Sequence, residues 1–459
     1  VAAGAAVSTV SLGRLFVSGR DPAMPVALRD TGPIMFGQFA ADVAGLAAAA
    51  RDAGVGRGAV LSADPYRFLV GLFGLLHAGA AVVLPPDGMA ETLASLRDRF
   101  DMVVTDEPPA VAAPRLPIET APGGAASLPA LDPAAASLEF FTSGSTGVPK
   151  RIPKPLLMLD QEIATLDAMW GAAAGQGPVL STVPHRHIFG LTFHVLWPLA
   201  SGRPFVSVID LLLEPILARD VAGATLVTSP AHLTRLAGLP PLPAGQQPRR
   251  VFTAGAPLRA SQAIEAAAVL GVAPTEIFGS TETGAIATRM QRTAQEPWTP
   301  LIGNRVTTDP EGCMVVHAPY GPTGGPFTSA DRVELLPDGR FHFLGRADRV
   351  AKIEGKRVSL PRLEEALADL PEVRDAAAVV LDGNPERLAA AVVLTEAGQA
   401  RLAALGPFRF SRELRRALGR MFESAWLPKS WRFVADLPNG AMGKRRDADV
   451  RLLFLRSQP

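Results

Sequence analysis

Short apolar runs rich in β-branched residues alternate along this chain with alanine-rich stretches of helical period, and that alternation constrains the fold more than any other feature. The runs MVVTD (102–106), LEFFT (138–142), VLSTV (179–183), PFVSV (204–208), ATLVTS (224–229) and RRVFTAG (249–255) each have the length of a buried strand. A chain that interleaves strands with helices buries both by layering one on the other, so we expect an α/β fold. At 459 residues the chain exceeds one typical core, which calls for two or three domains. Composition changes near Arg346: a charged glycine turn, a helix around LPRLEEALADL, strands around AAAVVL and LAAAVVL and an arginine-rich helix follow. We therefore expect a large N-terminal domain of mixed sheets and helices over residues 1–346 and a smaller α+β domain over 347–459.

An apolar share of 48% with 19% charged residues is globular composition. A net charge of +1 gives no general attraction to nucleic acid. The single Cys313 can form neither an internal disulfide nor a cysteine zinc site, and the N-terminal stretch, interrupted by Arg14 and Arg20, lacks a signal-peptide pattern; a cytoplasmic location is expected. FLVGLFGLLHAGAAVVLPP (68–86) is only marginally long enough to cross a bilayer and is broken by His77 and Gly79. It reads better as a buried helix (65–77) turning at Gly79 into a buried strand (81–84), so no membrane span is expected. The proline-rich stretches 107–136 and 238–248 read as surface connections.

FFTSGSTGVPK (140–150) lies where a chain leaves a sheet. It is not a Walker loop, because Pro149 precedes Lys150 and Arg-Ile-Pro-Lys-Pro follows, a run that cannot open a helix. The loop must pass from strand to extended chain. Gly144 and Gly147 free backbone N–H groups to turn toward a ligand, Thr142, Ser143, Ser145 and Thr146 add hydroxyls, and Lys150 adds charge. By itself such a loop is more often just a surface turn.

Three further stretches agree with it in order: EIFGSTETG (276–284), FTSADRVELLPDGRFHFLGRADRVAKIEGKRVSL (327–360) and LPNGAMGKRR (437–446). Together the four resemble the signatures of the adenylate-forming superfamily of acyl- and aryl-CoA synthetases, luciferase and peptide-synthetase adenylation domains. The resemblance spans about residues 60–450 and implies a multi-subdomain N-terminal domain with a mobile C-terminal one. It implies attack of a substrate carboxylate on the α-phosphorus of ATP, giving acyl-adenylate and pyrophosphate, then transfer to a thiol. The substrate is itself the nucleophile, so the protein's task is alignment and charge stabilisation. On this resemblance Thr142 to Lys150 hold the β- and γ-phosphates, Thr281 bonds the α-phosphate and Glu282 holds Mg²⁺, an oxygen-preferring ion. Phe278, Gly279 and Ser280 belong to the same nucleotide site, and Gly255, Ala256 and Pro257 resemble the wall against which adenine packs. Asp331 resembles the carboxylate that accepts both ribose hydroxyls, here in Ser-Ala-Asp where Thr-Gly-Asp is usual, and Arg346 adds a ribose or phosphate contact; the structural alternative for this pair is an ion pair. Lys444 resembles the lysine that bridges carboxylate and α-phosphate during adenylation. Asp348 resembles the hinge between two orientations of the small domain, with Arg349 where a second acid is frequent, and Gly355 and Arg357 the loop used in thioester formation.

VPHRHIFGLTF (183–193) resembles the acyl-pocket motif, with His187 in the gating position, and Phe189, Thr228, Ala254 and Gly279 are expected in the pocket walls. The segment lacks the aspartate by which amino-acid-activating relatives grip an α-amino group, which disfavours an amino acid, and the mix of aromatic and small residues expected in the pocket walls suits an aryl or medium acyl acid. His185, His187 and His194 also raise a metal cluster, which the lack of a carboxylate or cysteine beside them disfavours. Coenzyme A is the expected acceptor. The alternative is the phosphopantetheine of an acyl carrier protein, as in aryl-polyene or pigment-type ligases, drawn to FRFSRELRRALGRMF (408–422), which reads as a helix capped by Ser411 with Leu414, Leu418 and Met421 inward and arginines outward. A nucleotide-binding protein without catalysis is the alternative of another class; retention of Lys150, Glu282, Asp331 and Lys444 together speaks against it.

Overall fold

The computed structural model describes residues 9–118, 128–143, 149–210, 212–293, 296–322, 325–353, 356–381, 387–438 and 447–455. Chain contacts divide it into a large unit (Val1–Arg305 with Val316–Phe327) and a small one (Val306–Val315 with Thr328–Pro459).

The large unit holds two sheets. In the first, strands Arg115–Pro117, Met102–Thr105, Arg57–Leu61, Ala81–Leu84 and Ser137–Ser143 run parallel in that spatial order, and Pro149–Pro155 closes the edge antiparallel. In the second, six parallel strands lie in the order Thr275–Ser280, Arg250–Ala254, Thr225–Thr228, Val179–Ser181, Phe205–Ile209 and Pro25–Arg29. Antiparallel strands Gly284–Arg289 and Thr299–Pro300 extend it on one side and Gly32–Met35 on the other. All six apolar runs singled out in the sequence form strands. The stretch 107–136 is not wholly irregular, since Arg115–Pro117 pairs with Met102–Thr105.

Local chemistry sets the element ends. Helix Pro65–Ala78 starts at Asp64, whose carboxylate accepts from the backbone N–H groups of Tyr66 and Arg67, with Pro65 at the first helical position. It stops at Gly79, whose φ of 79° is left-handed, and the chain reverses into Ala81–Leu84. This helix is core, not span: Phe68, Leu69, Leu72, Phe73 and Leu75 are fully covered. Among the described residues no helix is long and apolar enough to cross a membrane.

In the small unit, strands Val373–Leu381, Arg387–Leu394 and Ser430–Val434 form a sheet that packs with helix Leu360–Ala368 around Leu363, Leu367, Ala378, Val392, Leu414 and Leu418. Strands Val350–Ile353 and Lys356–Ser359 make a separate hairpin. The arginine-rich helix departs from its reading in the sequence. Gly406 (φ 72°) breaks the element Glu396–Leu418, and Pro407 opens the second half. The Ser411 hydroxyl donates to the Phe408 carbonyl from inside the helix and does not cap it. The buried face is accordingly Phe410, Leu414, Leu418 and Phe422, while Met421 is exposed.

Candidate active site

The signature that opens the large unit's site is carried by a hairpin. Strand Ser137–Ser143 pairs with Pro149–Pro155 in a register that sets Thr142 opposite Lys150 and Ser143 opposite Pro149. The chain therefore leaves the loop extended, as the prolines require. Gly144, Ser145, Thr146 and Gly147 lie outside the described residues, and only the backbones of Thr142 and Ser143 are described. The hairpin is anchored by Glu139, buried on the first strand, whose carboxylate accepts from Arg57 at 2.5 Å and Arg151 at 2.6 Å. Arg151 is thereby occupied with structure. Lys150 is 61% exposed, and its Nζ lies 3.6 Å from Oε1 of Glu282.

Glu282 sits on the turn between strands Thr275–Ser280 and Gly284–Arg289. The turn is tied by Ser280 and Thr283, whose hydroxyls lie 3.0 Å apart and each accept the other's backbone N–H. A Cβ at Gly279 would stand 2.2 Å from the Gly284 carbonyl oxygen, so only glycine fits. Gly284 takes φ 69° to reverse the chain. Glu276 at the foot of the hairpin is buried and held bidentately by Arg289 at 3.0 Å, with Gln291 donating at 2.6 Å. Burial pushes its carboxyl upward, against the pull of Arg289.

Two buried charged residues of this region did not stand out in the sequence. Lys154, four residues beyond Lys150, is 1% exposed and donates to the Glu282 carbonyl at 3.2 Å. Glu162, on helix Leu156–Ala174, is also buried and accepts from the backbone N–H of Ala285 at 2.9 Å. Burial lowers the lysine's proton affinity and raises the carboxyl's, while the opposite charge of each favours the ionised form of the other. A sequence signal existed: Lys154 is one of few lysines in a chain that draws most of its positive charge from arginine, and it lies in an extended pattern.

The remaining large-unit candidates gather at the carboxyl ends of parallel strands, the edge where open α/β sheets bind ligands. Gly255 (φ 98°), Ala256 and Pro257 leave strand Arg250–Ala254, whose Ala254 pairs with Ile277, so they stand beside Phe278 and Ser280 on the neighbouring strand. Phe278 meets Trp298 edge-on at 5.2 Å. Thr228 ends the next strand and is fully buried, its hydroxyl 2.8 Å from that of Thr182, which lies 3.1 Å from Nδ1 of His232; the Ser229 hydroxyl is 2.7 Å from the same nitrogen. Sequence reading missed Thr182, Ser229 and His232. His187 is half-buried and Phe189 buried against Phe193. His185 and His194 are core residues: Nε2 of one pairs with the Ser62 carbonyl at 3.0 Å and of the other with that of Val206 at 3.1 Å. Burial pushes their proton affinities down to about 3 and about 4. Among the described residues no three metal-ligating side chains converge.

In the small unit, Asp331 and Arg346 face each other across antiparallel strands Phe327–Leu335 and Phe341–Arg346, with Nη1 3.7 Å from Oδ1. Asp331 is 17% exposed, Arg346 47%. Asp348 lies in the turn Ala347–Arg349, its backbone alone described. Arg349 donates to Glu364 at 2.8 and 3.0 Å and lies 3.3 Å from Asp447, so it anchors the turn rather than facing solvent. Arg357 is placed by its backbone in Lys356–Ser359, opposite Lys352; Gly355 and Lys444 lie outside the described residues.

A two-sheet large unit with hydroxyl- and glycine-rich turns at its strand exits, and a separate small α+β unit, is the architecture of an adenylate-forming ligase. Residues 18–311 match the family model of AMP-binding enzymes and residues 362–444 that of the AMP-binding enzyme C-terminal domain. The chain is 30% identical over 316 residues to a 4-coumarate–CoA ligase of Cereibacter sphaeroides, covering 68% of this chain and 71% of that one. It is 28% identical over 414 residues to a sulfoacetate–CoA ligase of Cupriavidus necator, covering 81% and 77%. In fold it is similar to ATP-bound MatB from Rhodopseudomonas palustris (TM-score 0.82, 22% identity, 97% and 99% covered) and to a benzoate CoA ligase from Burkholderia xenovorans (TM-score 0.80, 20% identity, 95% and 98% covered). The chain belongs to the AMP-binding enzyme family and is an AMP-forming acid–thiol ligase.

Proposed function

We propose that this ligase activates a small aryl or medium acyl acid as its acyl-adenylate and passes the acyl group to coenzyme A. The observation that carries the reading is the approach of Lys150 to Glu282, which joins the phosphate-loop hairpin to the second signature within one unit. A lysine 3.6 Å from a partly exposed carboxylate is an arrangement that a polyphosphate and a hard cation can share. Glu282 offers one oxygen donor, and Mg²⁺ typically takes one or two protein carboxylates and fills its shell with phosphate oxygens and water. The residues present therefore fit the ion, whose chemistry would be to offset charge on the leaving pyrophosphate.

The chain's own groups then divide the work. Thr142, Ser143, Ser145, Thr146, the amides of Gly144 and Gly147, and Lys150 hold the terminal phosphates. Thr281 holds the α-phosphate, and Gly255, Ala256, Pro257, Phe278, Gly279 and Ser280 enclose the adenine. Asp331, with Arg346 beside it, accepts the ribose hydroxyls. The acid lies against His187, Phe189, Thr228 and Ala254, its carboxylate held to the α-phosphorus by Lys444. Rotation about a hinge at Asp348 would let Lys444 give way to Gly355 and Arg357 for the thiol step. Names of relatives that act on 4-coumarate and benzoate favour an aryl acid. Acid-dependent pyrophosphate exchange over a panel of aryl and fatty acids tests the reading: an aryl acid should give the highest turnover, and exchange with none of them removes it.

One observation favours carrier-protein loading as a second reading. Arg412, Arg415, Arg416 and Arg420 surround one surface cleft of the small unit together with Gly419 and Leu427, a charge pattern that suits an acidic partner. Parallel thioester assays with coenzyme A and with carrier protein separate the two acceptors.

A further inference from the structure

The turn that carries Glu282 is held from beneath by groups that do not face its open side. Lys154 is fully buried and donates to a backbone carbonyl, that of Glu282 itself. Two residues on, Gly284 has no side chain, and a Cβ there would stand 2.8–2.9 Å from the carboxylate atoms of Glu162. That missing methyl admits the Glu162 carboxylate, which accepts from the Ala285 N–H. The Ala285 carbonyl is held in turn by the Tyr320 hydroxyl at 2.6 Å and by Asn304 at 3.1 Å. Three backbone groups around a short turn, the Glu282 carbonyl and both the N–H and the carbonyl of Ala285, are thus held by side chains drawn from a strand, a helix and more distant loops.

A buried lysine and a buried glutamate are a costly way to brace a turn, because apolar residues of similar volume are frequently as stable. Their placement explains them better than stability does. We propose that buried Lys154 and Glu162, each bonded to the backbone of this turn, are positioning residues that together fix the orientation of the Glu282 carboxylate toward Mg²⁺-bound triphosphate. The inference rests on Glu282 being the metal-binding carboxylate. Neither Lys154 nor Glu162 touches nucleotide; they act through the turn, as partners behind a metal ligand act through it, and loss of such partners typically costs about 10- to 100-fold in metal affinity.

The test is calorimetric titration of ATP into the full chain over a series of Mg²⁺ concentrations, with no acid present, for the wild type, K154M, K154M/E162Q and E282Q, with thermal midpoints measured alongside. K154M should raise the Mg²⁺ concentration for half-maximal ATP binding by about tenfold or more, and lower the thermal midpoint. The double variant removes both charges and keeps an amide oxygen for the Ala285 N–H. It should recover the thermal midpoint while the Mg²⁺ requirement stays raised, and it keeps the test open should K154M alone fail to fold. A wild-type Mg²⁺ requirement in K154M, or recovery of both properties in the double variant, overturns the proposal. E282Q separates the failures: if it too leaves the Mg²⁺ requirement unchanged, the metal reading of Glu282 falls with the inference; if it raises the requirement and K154M does not, the inference falls alone.

Discussion

Lys150 and Lys154 stand four residues apart on one strand, point to the same side of it and meet the same residue, in opposite circumstances. Lys150 lies largely in solvent and approaches the Glu282 carboxylate, whereas Lys154 is buried and bonds to the carbonyl of the same residue. Exposure leaves a charge free to meet a ligand; burial commits it to shaping the site. The acyl-pocket segment repeats the contrast, with His187 half-buried and His185 two residues earlier sealed in the core and neutral.

The contrast can be broken by substitution. Lys154→Met leaves the Glu282 carbonyl without its buried donor and should cost about 1–3 kcal/mol of stability, read as the midpoint of chemical unfolding. Lys150→Met should leave that midpoint within about 0.5 kcal/mol while pyrophosphate exchange falls about 100- to 1000-fold, the scale for one charge-stabilising donor. Equal losses of stability in the two variants would remove the distinction. Gly279→Ala forces a methyl against the Gly284 carbonyl and should cost about 1–3 kcal/mol, with exchange impaired alongside. Arg151→Ala should cost less than about 1 kcal/mol, since its side chain is half in solvent and Glu139 keeps Arg57.

The histidines give a pH arm. His185, His194 and His77 hold folded proton affinities of about 3, 4 and 4, below the ordinary 6.5, so the unfolded chain binds more protons between those values. Their neutral forms contribute stability that is complete above pH 6.5 and is lost as pH falls toward 4. Unfolding midpoints measured across that window should drop, and His185→Gln should flatten the drop.

What was legible in the sequence is what depends on neighbours along the chain. The strands at 102–106, 138–142 and 249–255, the helix begun by Asp64-Pro65 and ended by Gly79, and the extended exit forced by Pro149 all follow from local sterics and period. The roles of Lys154 and Glu162 do not. Glu162 falls among polar residues of an alanine- and leucine-rich helix and reads as a solvated position, while its partner Ala285 is 123 residues away. The Thr182–Thr228–His232 cluster is assembled the same way, from the ends of separate strands and a short helix. Arg349 stood out as a charge reversal, but its meaning came only with Glu364 and Asp447 around it. The start of the arginine-rich helix was misread because Ser411 is a good capping residue, while Gly406-Pro407, four residues earlier, ends one helix and opens the next.

The central claim is that a carboxylate displaces pyrophosphate from ATP where Lys150 approaches Glu282. Isotope exchange between pyrophosphate and ATP, with an aryl acid present or withheld, tests it most directly. The account predicts exchange that requires the acid and collapses in Glu282→Gln while the protein stays folded; exchange indifferent to the acid, or untouched by that substitution, would contradict it.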